Sequence, residues 1–393
     1  MNPLGVSILN KKDIANFRRQ LKLNNDLLKI QDIFSVYITK NSREIYHQQN
    51  FPFELLEVEQ QELFLESFKK VLSGQLGEKL FVLKFQPGIE QSSQDILYDA
   101  LQCEDAEAWR DRMLQMVEKM LRDREYEQDI VVNFIRGEQL KPTKKREEYE
   151  ESDRDMVYSQ PFIMCSIHKT QDPKRELLFD YVEKEFKYQI IVDPIINLNA
   201  PLSGFLFPCL TNDAIDVNRV LYATGKKFEL DVYFMKDVLN VEDATTAEDD
   251  KIIFEEVVKQ VTGDQLNTST LSNLYEEIYH FIEESEDEDD TEAPTLDYKD
   301  VAKVLHNSGV EADTNAMAQA FKSVVDDPTY EIKANHIVPK PSAKSIKIKT
   351  KVADLSVSPT ELRHVRQVEL NGKLYLMIEL EENTVIEGFE MLP

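Results

Sequence analysis

The sequence predicts an α+β protein in which mixed or antiparallel sheets pack against amphipathic helices, with a small β-rich domain at the C-terminal end. Three observations lead to this fold class. Runs of β-branched and aromatic residues are typical of strands, and apolar residues between these runs recur with helical spacing. The chain also has only 11 glycines among 393 residues. Rossmann and P-loop folds use repeated glycines near phosphates, so this count disfavours both.

A chain of this length exceeds the usual size of a single domain, so we expect about three structural units. We place an N-terminal α+β domain at residues 1–128 and a central sheet with covering helices at 129–282. An acidic linker follows at 283–294, because eight of its first ten residues are acidic and such a run cannot bury itself. Residues 295–393 form the last unit, with a helix pair and a β domain.

The N-terminal unit alternates helices with extended segments. Ala106–Leu121 has the clearest helical pattern, and its apolar face comprises Trp109, Met113, Met116, Val117 and Met120. The other elements that we predict here are a helix at 11–23, a hairpin at 33–38 and 45–46, a helix at 54–72 and a strand at 79–85.

The central unit contains the richest strand patterns. Ile130–Ile135 and Phe162–Ile167 are dense in β-branched and aromatic residues, which predicts two central strands. The mixed-charge stretch between them, residues 137–155, is typical of a flexible loop. Residues 177–182 and 186–192 are predicted to form a further antiparallel pair.

Helical and hairpin patterns follow towards the C-terminus. Asn371-Gly372 between two apolar runs is the strongest two-residue hairpin signal in the sequence. The remaining predicted elements are helices at 230–239, 245–263, 271–282, 297–306 and 313–325, and a last strand at 384–391.

No local motif assembles reactive groups. The six histidines are scattered singly, without metal-site spacing. Cys165 and His168 stand three apart on a predicted strand and therefore point to opposite faces. Gly225-Lys226-Lys227 lacks the spacing and the following Ser or Thr of a phosphate loop, which favours a helix break with a basic flank. We therefore predict no catalytic residue, no cofactor and no metal.

The charges predict where a partner would bind. The chain carries 46 basic and 73 acidic residues, a net charge of −27, so any contact with a polyanion must be local. A lysine-rich segment supplies such a contact, because its residues 345–352 alternate isoleucine or valine with lysine. The alternatives are an edge strand that its lysines protect from aggregation, or a partner for the chain's own acidic run at Glu283–Glu292. The candidate partner-binding residues are Lys340, Lys344, Lys347, Lys349 and Lys351, together with Lys226 and Lys227.

Cysteine usage and hydropathy predict the compartment. Three widely spaced cysteines beside apolar residues are typical of buried thiols in a reducing compartment, so we expect a cytoplasmic protein. The sequence begins without a leader pattern, and no apolar run reaches the roughly eighteen residues that span a bilayer. We therefore expect no membrane association.

Two resemblances complete the sequence evidence. Phe162–Ile167, Leu202–Pro208, Leu221–Thr224 and the Leu370–Lys373 hairpin, in this order, resemble a bacterial family known as domain of unknown function 4317. This resemblance covers nearly the whole chain and implies a cytosolic bacterial protein, but it implies no activity or site. The order of elements from Gly225 to the lysine-flanked C-terminal β domain is more weakly similar to the nucleoid-associated protein family, which implies association with nucleic acid.

These observations predict a non-enzymatic binding protein. The first hypothesis is association with nucleic acid or nucleoprotein through the C-terminal lysine-rich strand. The second is a protein–protein adaptor with an acidic surface. The third is an enzyme whose active site combines residues distant in sequence, which no local motif reveals.

Overall fold

The chain of the computed structural model divides into two compact units, Met1–Thr246 and Ala247–Pro393. The structure describes residues 9–142, 157–171, 175–190, 193–211, 214–263, 266–287, 294–327, 330–338, 346–379, 385–386 and 389–390.

A seven-stranded sheet organises the first unit, with every neighbouring pair antiparallel. The strands of this unit are β1 (Leu28–Ile38), β2 (Ile45–Pro52), β3 (Leu80–Lys84), β4 (Ile130–Pro142), β5 (Val157–Gln171), β6 (Arg175–Asp180), β7 (Glu185–Ile190), β8 (Ile195–Phe207), β9 (Cys209–Leu210), β10 (Ile215–Asp216) and β11 (Arg219–Thr224). The order across the large sheet is β2-β1-β4-β5-β8-β11-β3, while β6–β7 and β9–β10 form separate ribbons.

Helices cover both faces of this sheet. They are α1 (Lys11–Gln20), α2 (Val58–Val71), α3 (Ser93–Gln102), α4 (Ala106–Leu121) and a π-helical segment at Phe234–Leu239. The helices α3 and α4 and the π-helical segment share one apolar core with the sheet, in which Trp109 is fully buried. On the opposite face, α1 and α2 bury Phe17 and Phe68 against strand residues such as Met164.

The predicted fold class and most of the predicted elements are confirmed. The helix at Ala106–Leu121 has the predicted bounds, and the strands predicted around residues 130–135 and 162–167 are β4 and β5 at the centre of the sheet. Part of the predicted flexible loop is strand instead, because β4 runs on to Pro142. The rest of that loop, from residue 143, lies outside the described residues.

The compact units divide the chain differently from the predicted domains. The predicted boundary after residue 128 falls inside the large sheet, because β1 pairs with β4 and places Ile33 opposite Ile135. Pairing between strands about a hundred residues apart leaves no local pattern in a sequence, which is why the prediction separated them. The predicted linker at 283–294 begins within a helix of the second unit, and residues 288–293 lie outside the described part.

The second unit is built around a helical core. Its elements are α5 (Ala247–Thr262), α6 (Thr268–Asp287), β12 (Thr295–Leu296), α7 (Tyr298–Asn307), α8 (Thr314–Val325), β13 (Ile332–Lys333), α9 (Ala334–Ile337), β14 (Ile346–Lys349), β15 (Asp354–Val357), β16 (Val365–Leu370), β17 (Lys373–Ile378), β18 (Val385–Ile386) and β19 (Phe389–Glu390). Phe254, Ile278 and Phe321 lie in its apolar core. The predicted hairpin turn is confirmed, because Asn371 and Gly372 both adopt positive φ between β16 and β17.

We expect Gly204→Ala to destabilise the first unit by about 1–3 kcal/mol, because the centre of the sheet has no room for a methyl group. A Cβ at this position would lie 2.4 Å from the carbonyl oxygen of Cys165 and 2.8 Å from Cγ1 of Val71. Urea unfolding measures the change. The control is Gln48→Ala on the exposed edge strand β2, which we expect to change the free energy of unfolding by less than about 0.5 kcal/mol. Equal stability of both variants would contradict the packing described here.

Candidate functional site

The lysine-rich strand corresponds to β14 and has the predicted alternation. Lys347 and Lys349 are exposed, whereas Ile346 and Ile348 are half-buried on the other face. Lys351 is exposed just beyond the strand. Among the described residues, no carboxylate lies within ion-pair distance of these three lysines. The two other candidates in this segment, Lys340 and Lys344, lie outside the described residues.

The Lys226 and Lys227 pair is neutralised by neighbouring carboxylates. Lys226 Nζ lies 3.2 Å from Glu229 Oε2, and Lys227 Nζ lies 2.5 Å from Glu78 Oε2. Gly225, which precedes them, allows a close approach of the backbone, since a Cβ at this position would lie 2.5 Å from the carbonyl oxygen of Leu202. These two lysines belong to the first unit, whereas β14 belongs to the second.

The Cys165 and His168 side chains lie on opposite faces of β5, as predicted. Cys165 is in the core shared with α4, while His168 points towards α2. The His168 Nδ1 atom donates to the carbonyl oxygen of Asn197 at 3.0 Å, which leaves Nε2 to accept from the Ser67 hydroxyl at 2.8 Å. Burial lowers the pKa of His168 to about 4, so the ring is neutral at physiological pH. Because Ser67 and His168 are both sealed in the core, this pair is structural.

A second polar cluster joins three elements of the first unit around Lys119 of α4. Its Nζ atom lies 2.9 Å from Ser93 Oγ, at the start of α3, and 2.6 Å from Asn240 Oδ1, just after the π-helical segment. The Ser93 hydroxyl in turn donates to the carbonyl oxygen of Val238. Since that hydroxyl is fully buried and its hydrogen is already donated, the geometry does not favour Ser93 as a nucleophile.

A cleft of about 310 Å³ opens onto this cluster, and we call it the Lys119 cleft. Lys119 and Asn240, both at most 9% exposed, form its floor. Burial, and to a smaller extent repulsion from Arg122, lower the pKa of Lys119 to about 8, although attraction to Asp95 acts in the opposite direction. The charged residues at the exposed rim are Glu90, Glu118, Arg122 and Asp237.

This cluster leaves no local pattern in the sequence because its members are far apart in the chain. Ser93 and Asn240 are separated by 147 positions, and each looks like an ordinary capping residue. One signal was present, because Lys119 lies between Met116 and Met120 beside the apolar face of α4. A lysine next to a buried stripe is typical either of a side chain that reaches solvent or of a buried cation.

The β6–β7 hairpin carries an exposed apolar surface. Residues 177, 179, 186 and 188 lie on one face, because Leu177 pairs with Tyr188 and Phe179 pairs with Phe186. Tyr181 packs its ring 5.2 Å from that of Phe179. We call this surface the aromatic face, and it comprises Leu177, Phe179, Tyr181, Phe186 and Tyr188.

The other face of the hairpin is mainly polar, with Leu178, the cross-strand neighbour of Lys187, as an apolar exception. Lys187 Nζ lies 2.8 Å from Asp180 Oδ2 and 2.7 Å from Glu183 Oε2. The hairpin is therefore amphipathic, yet its apolar face is open to solvent, with Tyr188 58% and Phe186 74% exposed. A two-stranded hairpin is only marginally stable alone, so contact with another surface would stabilise this one.

Two structural features that would indicate other kinds of site are absent from the described residues. No group of three or more His, Cys, Asp or Glu side chains in the described ranges is placed to hold a metal ion. Among the described helices, none combines the length and the apolar character that crossing a membrane requires.

We expect the buried His168 to make stability pH-dependent. Its pKa is about 4 in the folded protein and near 6.5 in the unfolded chain, so only the unfolded chain gains a proton between these values. The contribution of the neutral His168 ring to the free energy of unfolding is therefore complete above pH 6.5. About 3 kcal/mol of it is lost as the pH falls to 4. Urea unfolding at pH 7 and pH 4 measures this loss.

The His168→Gln variant should lose correspondingly less stability between the two pH values than the wild type. Gln48→Ala is the control, because Gln48 is exposed on β2 and has no titratable group, so this variant should keep the pH dependence of the wild type. An identical pH dependence in the His168 variant and the wild type would contradict the buried neutral ring.

Comparison with known proteins identifies the family. No curated protein and no solved structure matches this chain, so the resemblance to the nucleoid-associated protein family has no support there. A family model described as domain of unknown function (DUF4317) matches residues 9–389, which is nearly the whole chain. Because this match covers nearly the whole chain, the chain belongs to the DUF4317 family.

Proposed function

We propose that this protein is a non-enzymatic binding protein of the bacterial cytoplasm that assembles with a second protein subunit through the aromatic face of the β6–β7 hairpin. The observation that carries the proposal is the exposure of this face. Surface residues that serve no contact are normally polar on such a ribbon, whereas large exposed apolar patches mark interaction sites.

The size of the face fits a weak but specific interface. Its four rings, at positions 179, 181, 186 and 188, are between 42% and 85% exposed. With about 200 Å² for each aromatic side chain, they present roughly 500 Å² of surface. This is comparable to the largest patch of a typical monomer, and it approaches the roughly 800 Å² that each partner buries in a standard interface.

A second copy of this chain is the partner that the hairpin fits best. Its two strands carry matching residues on the aromatic face, with Phe179 opposite Phe186, so the face is nearly self-complementary under a two-fold rotation. Residues 175–190 contain three basic and four acidic residues, a local charge of −1. The net charge of −27 is screened within about 8 Å at physiological salt, so it does not prevent contact between two such surfaces.

The proposed cytoplasmic location is supported by the state of the thiols. Cys103, Cys165 and Cys209 are all free, and two of them are buried. Proteins of oxidising compartments normally pair their cysteines, so free thiols favour a reducing compartment.

We expect the wild-type protein to form a concentration-dependent dimer in the micromolar range, as measured by sedimentation velocity. The double variant Phe179→Ser/Phe186→Ser should remain monomeric, because it removes the centre of the aromatic face. Glu185→Gln is the matched control, since it changes the polar face of the same hairpin and should dimerise like the wild type. A wild type that stays monomeric, or a double variant that dimerises equally well, would overturn the proposal.

Nucleic-acid association is a second candidate function, and the observation that favours it is the exposed lysine row on β14. The lysines at positions 347, 349 and 351, which form no ion pair with another described residue, can contact phosphates in an extended arrangement. The cross-strand neighbour of Lys349 is Asp354, which reduces the local positive charge. This candidate therefore has weaker support than the hairpin.

If this second function is correct, Lys347→Glu/Lys349→Glu/Lys351→Glu should lose binding to a labelled DNA or RNA oligonucleotide in fluorescence anisotropy. Affinity of the wild type should also fall steeply with salt, because bound lysines release counterions from the phosphates. The control is Lys226→Glu/Lys227→Glu, which alters lysines that already have carboxylate partners. Binding that is equal in the triple variant and the wild type would refute this function.

A further inference from the structure

We propose that the Lys119 cleft binds a small zwitterionic molecule, with the carboxylate of the ligand on Lys119 and its cationic group at the acidic rim. Basic amino acids such as lysine and arginine have this chemistry. The proposal is independent of the hairpin and of any self-association.

The floor of the cleft holds a cation that makes no ion pair with a described carboxylate, because Asp95 attracts it only from beyond ion-pair distance. Lys119 is 8% exposed, and two of its three N–H donors are directed at Ser93 and Asn240. Within the part of the chain that the structure describes, no carboxylate lies within ion-pair distance of its Nζ atom. A buried charge is normally paired, because leaving it unpaired costs the full loss of hydration. A carboxylate entering the cleft would supply the missing partner and accept the third hydrogen.

The rim determines what else the ligand must carry. Its charged groups are three carboxylates, Glu90, Glu118 and Asp237, and one guanidinium, Arg122, a net charge of −2. A simple anion would be repelled at this rim, and the overall charge of −27 adds to that repulsion. A positive group on the same molecule is attracted to the rim instead, so a ligand with both charges matches the floor and the rim together.

The dimensions and the polar lining agree with this ligand class. The cleft volume of about 310 Å³ lies at the lower end of the range for small-molecule sites. Amide side chains from Gln91 and Gln115 also line the cleft and can accept or donate hydrogen bonds. Three elements, α3, α4 and the end of the π-helical segment, hold the floor in place through the Ser93, Lys119 and Asn240 contacts.

Isothermal titration calorimetry with L-lysine and L-arginine tests the proposal directly. Acetate and n-butylamine serve as half-ligands, because each carries only one of the two charges. We expect both amino acids to bind the wild type at least tenfold more tightly than either half-ligand. Absence of binding by both amino acids, or acetate binding as tightly as L-lysine, would overturn the proposal.

Two variants test the contributions of the floor and the rim to ligand binding separately. Lys119→Met should weaken amino-acid binding at least tenfold, because it keeps the apolar stem and removes the cation. Glu118→Gln/Asp237→Asn changes only exposed groups, so it should fold normally and weaken amino-acid binding several-fold. Glu107→Gln, on the exposed side of the same helix, is the control and should bind like the wild type. Unchanged binding in the rim variant would contradict the proposal even if Lys119→Met failed to fold.

Discussion

Antiparallel pairing of β4 with β5 is the constraint on which the rest of the first unit depends. The register places Phe134 opposite Cys165 and Ile135 opposite Met164, so the two strands bury large side chains on both faces. Because both faces must then be covered, helices pack on each side, and β1 and β8 complete the pairing at the two edges of the central strands. The interior that results is apolar and tightly packed around Gly204.

The side chains of this interior are mainly apolar. Two of its buried polar side chains, His168 and Ser67, hydrogen-bond to each other and do not reach solvent. The three features that we propose as binding sites lie at the periphery of their units: the β6–β7 hairpin, the Lys119 cleft and the lysines of β14. A packed sheet with such elements at its periphery is the arrangement expected for the proposed binding role.

The sequence predicted local elements well because their signals are local. The apolar face of Ala106–Leu121 and the Asn371-Gly372 turn each depend on a few neighbouring residues, and both were correct. Long-range pairing could not be predicted in the same way, so β1 was assigned to a different domain from its neighbour β4. The Lys119 cluster depends on three segments that meet only in the fold, and no spacing rule identifies it. The alternation in the lysine-rich strand was predicted correctly, because it depends only on neighbouring residues.

Hydrogen–deuterium exchange at low and high protein concentration tests the central claim most directly. The claim is that a stably packed sheet accompanies a hairpin whose aromatic face binds a second copy of the chain. Peptides from β4 and β5 should exchange only through global unfolding at both concentrations. Peptides covering residues 175–190 should exchange rapidly in the dilute sample and become protected in the concentrated one. Exchange of β4 and β5 as fast as that of the hairpin, or hairpin exchange independent of concentration, would contradict this account.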